Sequence, residues 1–331
     1  PVRIPQARVI VASRLQNLVQ RALPYLGLAG LFAWIAWTPM QADAPPLALD
    51  RATAETAADA ALKARDVALG PEWRRFSTVR RASEEPQWLA HKFVWREAGP
   101  EAYRALVGTT LSPPLWDVRY AMFEGDVAAR AEEWRVTIEP GGKPRQVRHV
   151  LPEAQPGARL PREAALARAE QALRERFGLD PGTLKLVAAE ETDRPARTDW
   201  SFVFADPRID VGKGGEARMT VTLAGDEIVG AGRFVHVPEP WLRAERERSG
   251  RLTIAKIAGG LLFALAGLAA LVAGVKSWMR NHCDTRAVAF VAAIAFGASA
   301  GSVAVMWPSF AMQWKTTEPI VWQALLAVAG S

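Results

Sequence analysis

Hydrophobic positions follow two regimes along this chain. In one, apolar residues run on without interruption: residues 22–42, 257–275 and 287–314 carry no Asp, Glu, Lys, Arg or His. A helix rising about 1.5 Å per residue needs about 20 such residues to cross a bilayer core. The pattern therefore predicts transmembrane helices over 22–42, 253–276 and 287–310. A fourth apolar run, 319–331, would reach only about 20 Å as a helix and reads as a transmembrane helix cut off partway.

In the other regime, apolar and polar residues alternate. Trp116, Val118 and Tyr120 interleave with Asp117 and Arg119, the period of a half-buried strand; Trp134, Val136 and Ile138 repeat it. Trp200, Phe202 and Phe204, then Met219, Val221 and Leu223, do the same further on. Each set follows an alanine-rich stretch with helical spacing. Ala54, Ala57, Ala58, Ala61, Leu62 and Leu69 predict a helix from Arg51 to Leu69, capped by Asp50 and stopped at Gly70-Pro71. Ala165, Leu166, Ala169, Ala172, Leu173 and Phe177 predict a second, opened by Pro161 and ended by Gly178. Each unit closes with a hairpin, at Gly141-Gly142 or Gly225-Asp226, and ends in an aliphatic residue, Pro and Glu (Leu151-Pro152-Glu153 and Val237-Pro238-Glu239). This is an internal repeat. The expected fold class is α+β: two helix-plus-antiparallel-sheet repeats, 43–155 and 156–252, inserted between transmembrane α-helices.

Charge placement orients the spans. Arg3, Arg8, Arg14 and Arg21 precede the first, and Lys276, Arg280 and Arg286 flank the 277–286 loop. Short basic segments stay cytoplasmic. The basic stretch 1–21 and the loop 277–286 are thus placed inside a bacterial inner membrane, and 43–252 outside it. Arg243, Arg246, Arg248 and Arg251 crowd the outer end of the second span, where they can meet lipid headgroups. Ala42-Asp43-Ala44 offers a competing reading of the first span as a removable signal peptide. Trp34 and Trp37 near its outer end fit a retained anchor, as interfacial tryptophans do. The chain of 331 residues begins at Pro1 and stops within an apolar run, and is read as a fragment.

Composition narrows the chemistry. One cysteine, Cys283, excludes a disulfide framework and a cysteine zinc site. His91, His149 and His236 fall in strand-like segments without metal-ligand spacing. Glu84-Glu85, Glu132-Glu133 and Glu190-Glu191 read as solvated strand ends or loops, and Gly212-Lys213-Gly214-Gly215 as a loop lacking the phosphate-binding pattern. No catalytic, cofactor-binding or metal residue is assigned. Trp73, Trp88, Trp95, Trp116, Trp134, Trp200 and Trp241 belong to the exported region, as core aromatics or as the lining of a peptide groove beside a sheet edge. Trp278, Trp307, Trp314 and Trp322 read as membrane-belt residues. Glycines 259, 260, 267, 274, 297 and 301 suit close helix contacts. The expected partners are the lipid bilayer and a periplasmic peptide or protein. Nucleic acid is not expected, despite a net charge of +6.

The helix-then-hairpin repeat resembles the PepSY domain, a small extracytoplasmic α+β module associated with binding or restraining peptidases. Here the turns are Pro-Gly-Gly and Ala-Gly-Asp, where that family has an acidic hairpin. With its anchor helix and the Val237–Arg248 stretch (VPEPWLRAERER), the layout also resembles the N-terminal part of CAAX-protease and bacteriocin-processing (CPBP) intramembrane metalloproteases. That resemblance implies a regulatory or substrate-recruiting region. The family's Glu-Glu-x-x-x-Arg helix, membrane histidines and zinc or other divalent metal would then lie beyond Ser331. A non-enzymatic envelope sensor or scaffold is the alternative. Either way, segment 43–252 is expected to fold alone and to lack hydrolytic activity.

Overall fold

A computed structural model describes residues 46–81, 87–279 and 285–329, together with Tyr25, 27–30, 32–33 and 35–36. Those of residues 25–36 that are described are helical, and all but half-buried Ala33 are exposed. The basic stretch 1–21, Trp34, Trp37, the 42–44 cleavage motif, Glu84-Glu85 and Cys283 lie outside the described residues.

Two four-stranded antiparallel sheets, ordered β1-β2-β3-β4 and β5-β6-β7-β8, form the centre of residues 44–331. The strands are β1 (Trp73–Arg80), β2 (Leu115–Met122), β3 (Glu133–Ile138), β4 (Pro144–Val150), β5 (Lys185–Arg194), β6 (Arg197–Asp206), β7 (Glu216–Ala224) and β8 (Glu227–His236). Each sheet packs one face on a helix, α1 (Arg51–Lys63) or α4 (Arg162–Phe177). The fold is thus α+β with both expected hairpins in place, and β1 and β5 complete each sheet beyond the strands the alternation shows.

The two cores correspond position by position. Ala54, Ala58, Ala61 and Leu62 of α1 match Ala165, Ala169, Ala172 and Leu173 of α4. Trp116, Val118 and Tyr120 match Trp200, Phe202 and Phe204; Trp134, Val136 and Ile138 match Met219, Val221 and Leu223. Alanine on the helix face lets backbone approach sheet, and the large residues on the strands fill the gap. In both units the second strand's tryptophan donates its indole N–H to a carbonyl just ahead of the helix: Trp116 to Leu49 at 2.8 Å, Trp200 to Leu160 at 3.0 Å.

Two details of the helices differ from expectation. The first ends at Lys63, six residues early, because Asp66 takes a left-handed backbone (φ 58°) and turns Val67 and Leu69 back onto the core as extended chain. Its start is as read: Asp50 accepts the Thr53 N–H at 2.8 Å, and hydrogen bonding to the Thr53 side chain and backbone lowers the Asp50 pKa. In the second, Pro161 is the cap residue before the helix and Gly178 (φ 64°) ends it.

Only the first repeat carries an insertion between its first two strands, the helices α2 (Gln87–Glu97) and α3 (Gly99–Leu106). Their Phe93, Val94, Tyr103 and Leu106 pack on Val211, Ala217 and Val235 of the second repeat, joining the two. The Gly212–Gly215 loop is the β6–β7 connection beneath this cluster. A side chain at Gly215 would collide with the Phe93 ring, which explains glycine there.

α5 (Glu239–Met279) leaves the second repeat as one uninterrupted helix of 41 residues. Its first turns pack on the insertion: Trp241 stands edge-on to Phe93 and donates to Glu97 at 2.9 Å. Buried Glu245 pairs with Lys92, Arg96 and Arg248. Beyond it, α5 and then α6 (Thr285–Ala311) turn apolar and exposed. Glu239–Lys276 and Ala292–Ala311 are long and apolar enough to cross a membrane. The expected glycine-mediated contacts are not made within the described residues, where glycines 259, 260, 267, 274, 297 and 301 meet nothing within 4 Å.

The third apolar run does not stay helical to Trp314. The chain leaves the helix after Ala311 and lies across the outer face of the first sheet before α7 (Ile320–Ala329). Trp314 is buried there at 5.8 Å from Phe76 rather than exposed, with half-buried Trp307 edge-on to it. This cover also overturns the half-buried reading of β2. Asp117 and Arg119 are buried too, Arg119 donating to the Met312 and Trp314 carbonyls at 3.1 and 2.7 Å.

Candidate functional site

The two repeats meet where β4 passes β8. Gly232 allows the approach, since a Cβ there would lie 3.3 Å from the Gln146 amide. At one end of this seam His149 stacks on Trp134 with centroids 3.7 Å apart. Its Nδ1 lies 2.7 Å from Glu227 of the second repeat and its Nε2 2.9 Å from Glu132 of the first. Burial opposes a charge on the ring, but hydrogen bonds and charges from both glutamates outweigh it and raise the pKa. His149 thus links the two repeats through both ring nitrogens, and the two glutamates favour its protonated form.

Further along, the seam opens into a chamber of about 300 Å³ whose walls carry Arg80 from β1, Arg145 from β4, Arg176 from α4 and Arg233 from β8. Glu139 is the only carboxylate in that lining. It holds Arg145 at 2.9 Å, while Arg145 also donates to the Gly108 and Thr109 carbonyls at 3.0 and 2.6 Å. Arg233 lies over the Phe177 ring at 5.0 Å, and Arg176 donates to the Ile228 carbonyl at 3.3 Å. Among the described residues neither has a carboxylate within ion-pair distance. Burial lowers the pKa of both, and a neighbouring arginine lowers each further: Arg65 for Arg176, Arg145 for Arg233. Two polar atoms in this wall are buried without a partner, Arg80 Nε and Thr137 Oγ1; Thr137 is 5% exposed.

Arg233 and Thr109 also wall a second chamber of about 290 Å³, lined by Leu106, Leu179, Ile209, Ala217 and Met219. Its other charged residues are paired: Asp206 with Arg208 at 2.8 Å, Arg218 with Glu216 at 2.7 Å. A cationic hollow and an apolar one therefore share a wall.

Sequence reading did not single out this constellation. Its residues sit on four separate elements, each an ordinary surface arginine by local pattern. Thr137 carries the one readable signal, a small polar residue on a strand whose other face is fully apolar.

The residues weighed from sequence are placed as follows. His91 is on a helix rather than a strand; buried, with Nδ1 3.0 Å from the Tyr103 hydroxyl, it has its pKa pushed down to about 4 by desolvation. His236 ends β8, with its pKa lowered by burial and Arg218. Glu133 is not solvated: it holds buried Arg119, while Glu132 holds His149. Glu190 and Glu191 are largely solvated on edge strand β5. Trp116, Trp134 and Trp200 are core residues, whereas Trp88 and Trp95 stay exposed on α2. Among the described residues no group of three or more His, Cys, Asp or Glu could hold a metal ion.

Comparison of the chain with protein-family models, with curated proteins and with solved structures finds no match.

Proposed function

We propose that this chain is the membrane-anchored, extracytoplasmic regulatory or substrate-recruiting region of an intramembrane metalloprotease of the CAAX-protease type, its catalytic helices lying beyond Ser331. The observation that carries the membrane part is the docking of residues 312–318 on the first sheet. α5 leaves this lobe and the segment after α6 returns to it, so two crossings make a hairpin with the lobe and 312–318 on one side. Lys276 and Arg286 then sit at the far end, where basic residues favour the cytoplasm. Two helix-on-sheet units with matching cores support the PepSY-like reading. The continuous α5 gives a change in the lobe a rigid route into the bilayer.

Topology is tested with single-cysteine variants in the Cys283→Ala background. Asp226→Cys, in the exposed β7–β8 turn, should react with a membrane-impermeant maleimide in intact spheroplasts. Reaction only after permeabilisation would overturn the reading.

The shared cavity favours recognition without chemistry, the role of a tandem envelope sensor or scaffold binding a peptide or partner protein. Continuation past Ser331 into a Glu-Glu-x-x-x-Arg helix supports the protease; a stop after one further helix supports the scaffold.

A further inference from the structure

The geometry points to the paired chambers between the repeats as a binding site for the free C-terminal carboxylate of a peptide ending in an aliphatic residue. Four arginines against one glutamate line the polar chamber, and two of them lack an ion-pair partner among the described residues. Gathering like charges in a partly desolvated wall costs free energy that a bound anion offsets. Thr137 Oγ1 and Arg80 Nε strengthen the case, because a buried hydroxyl or guanidinium N–H without a partner is itself costly. A bound oxyanion supplies an acceptor that such donors lack, and the planar fork of arginine matches a carboxylate.

The tail follows from the shape. The apolar chamber shares Arg233 and Thr109 with the cationic one. At a peptide terminus the carboxylate and the last side chain branch from one Cα, so both hollows fill together. A linear fatty acid offers no such branch. The flanking charges do not compete, since Asp206 and Arg218 are already paired. This inference is independent of which side of a membrane the lobe faces, so it and the topology can fail separately.

The test uses the full chain in nanodiscs of zwitterionic lipid. A fluorescein-labelled Gly-Ala-Ala-Leu with a free C-terminus should bind by anisotropy, and its C-terminal amide about tenfold or more weaker, as expected for lost charge-assisted hydrogen bonds. Arg233→Gln should weaken the acid peptide to a similar degree. Thr137→Val keeps the shape and removes an unsatisfied hydroxyl. It should weaken binding severalfold while leaving thermal stability unchanged or raised, which separates a binding role from misfolding. Equal binding of acid and amide, or unchanged binding in a folded Thr137→Val or Arg233→Gln protein, would overturn the site. Competition by decanoate at the peptide's own concentration range would overturn the peptide assignment.

Discussion

Arg119 shows how far a single side chain can depart from its local pattern. By alternation it belongs to a solvent face, yet it is 3% exposed, with Glu133 holding its Nε and Nη2 and two backbone carbonyls its Nη1. Replacing it with leucine leaves Glu133 only Arg135, at 3.4 Å, and strands two carbonyls, a loss of about 3–5 kcal/mol for a broken buried pair. Arg119→Leu should therefore lower the denaturation midpoint. It should also abolish hydrogen-exchange protection around 312–316 before the core strands lose theirs. Unchanged protection there would show that Trp314 alone holds the segment. The partner of Arg119 lies about 195 residues downstream, so no window of sequence could have shown its burial.

Elements were legible where one face meets one core. The inward rows Trp116-Val118-Tyr120 and Trp200-Phe202-Phe204 alternate cleanly, and both helices declare themselves by alanine spacing. β1 and β5 were missed because edge strands bury less and mix charges into both faces, as Arg74, Arg75, Glu190 and Glu191 do. The α2–α3 insertion was missed because its apolar face is completed by the second repeat. Of the candidate site only Thr137 left a signal, because its four arginines come from four separate elements. At this scale the seam between β4 and β8 predicts a pH response through His149, which faces Glu132 and Glu227, with Arg148, Glu153, Arg194, Arg197 and Asp199 lining the same hollow. Its pKa is raised in the folded state. Its contribution is therefore full below the unfolded value of about 6.5 and is lost as pH rises through the higher folded value. Thermal midpoints of the parent and His149→Gln should differ most on the acid side and converge toward alkaline pH. A gap that widens with pH would sink the cross-link.

For the lobe with its helices, the governing feature is that α5 is both structural support and membrane-length span. Glu245 is buried among Lys92, Arg96 and Arg248, and hydrogen bonds and charge from Lys92 and Arg96 hold its pKa down against the burial that would raise it. At about 1.5 Å per residue the helix runs some 60 Å from the insertion with no proline past its first turn. Any ligand that shifts α2 against the second repeat must tilt or rotate that rod.

The docking of Trp314 carries a practical cost for anyone trimming the protein to a detergent-free piece. A polypeptide ending at residue 252 would leave Phe76, Ala121 and Phe123 bare and Arg119 facing water, a greasy patch beside a lone charge pair. Such a piece should stick to itself and run as an oligomer on gel filtration, at odds with the expectation that 43–252 stands alone. Supplying residues 307–324 as a separate peptide should return it to a monomer. If the trimmed piece is already monodisperse, the sheet does not need its lid.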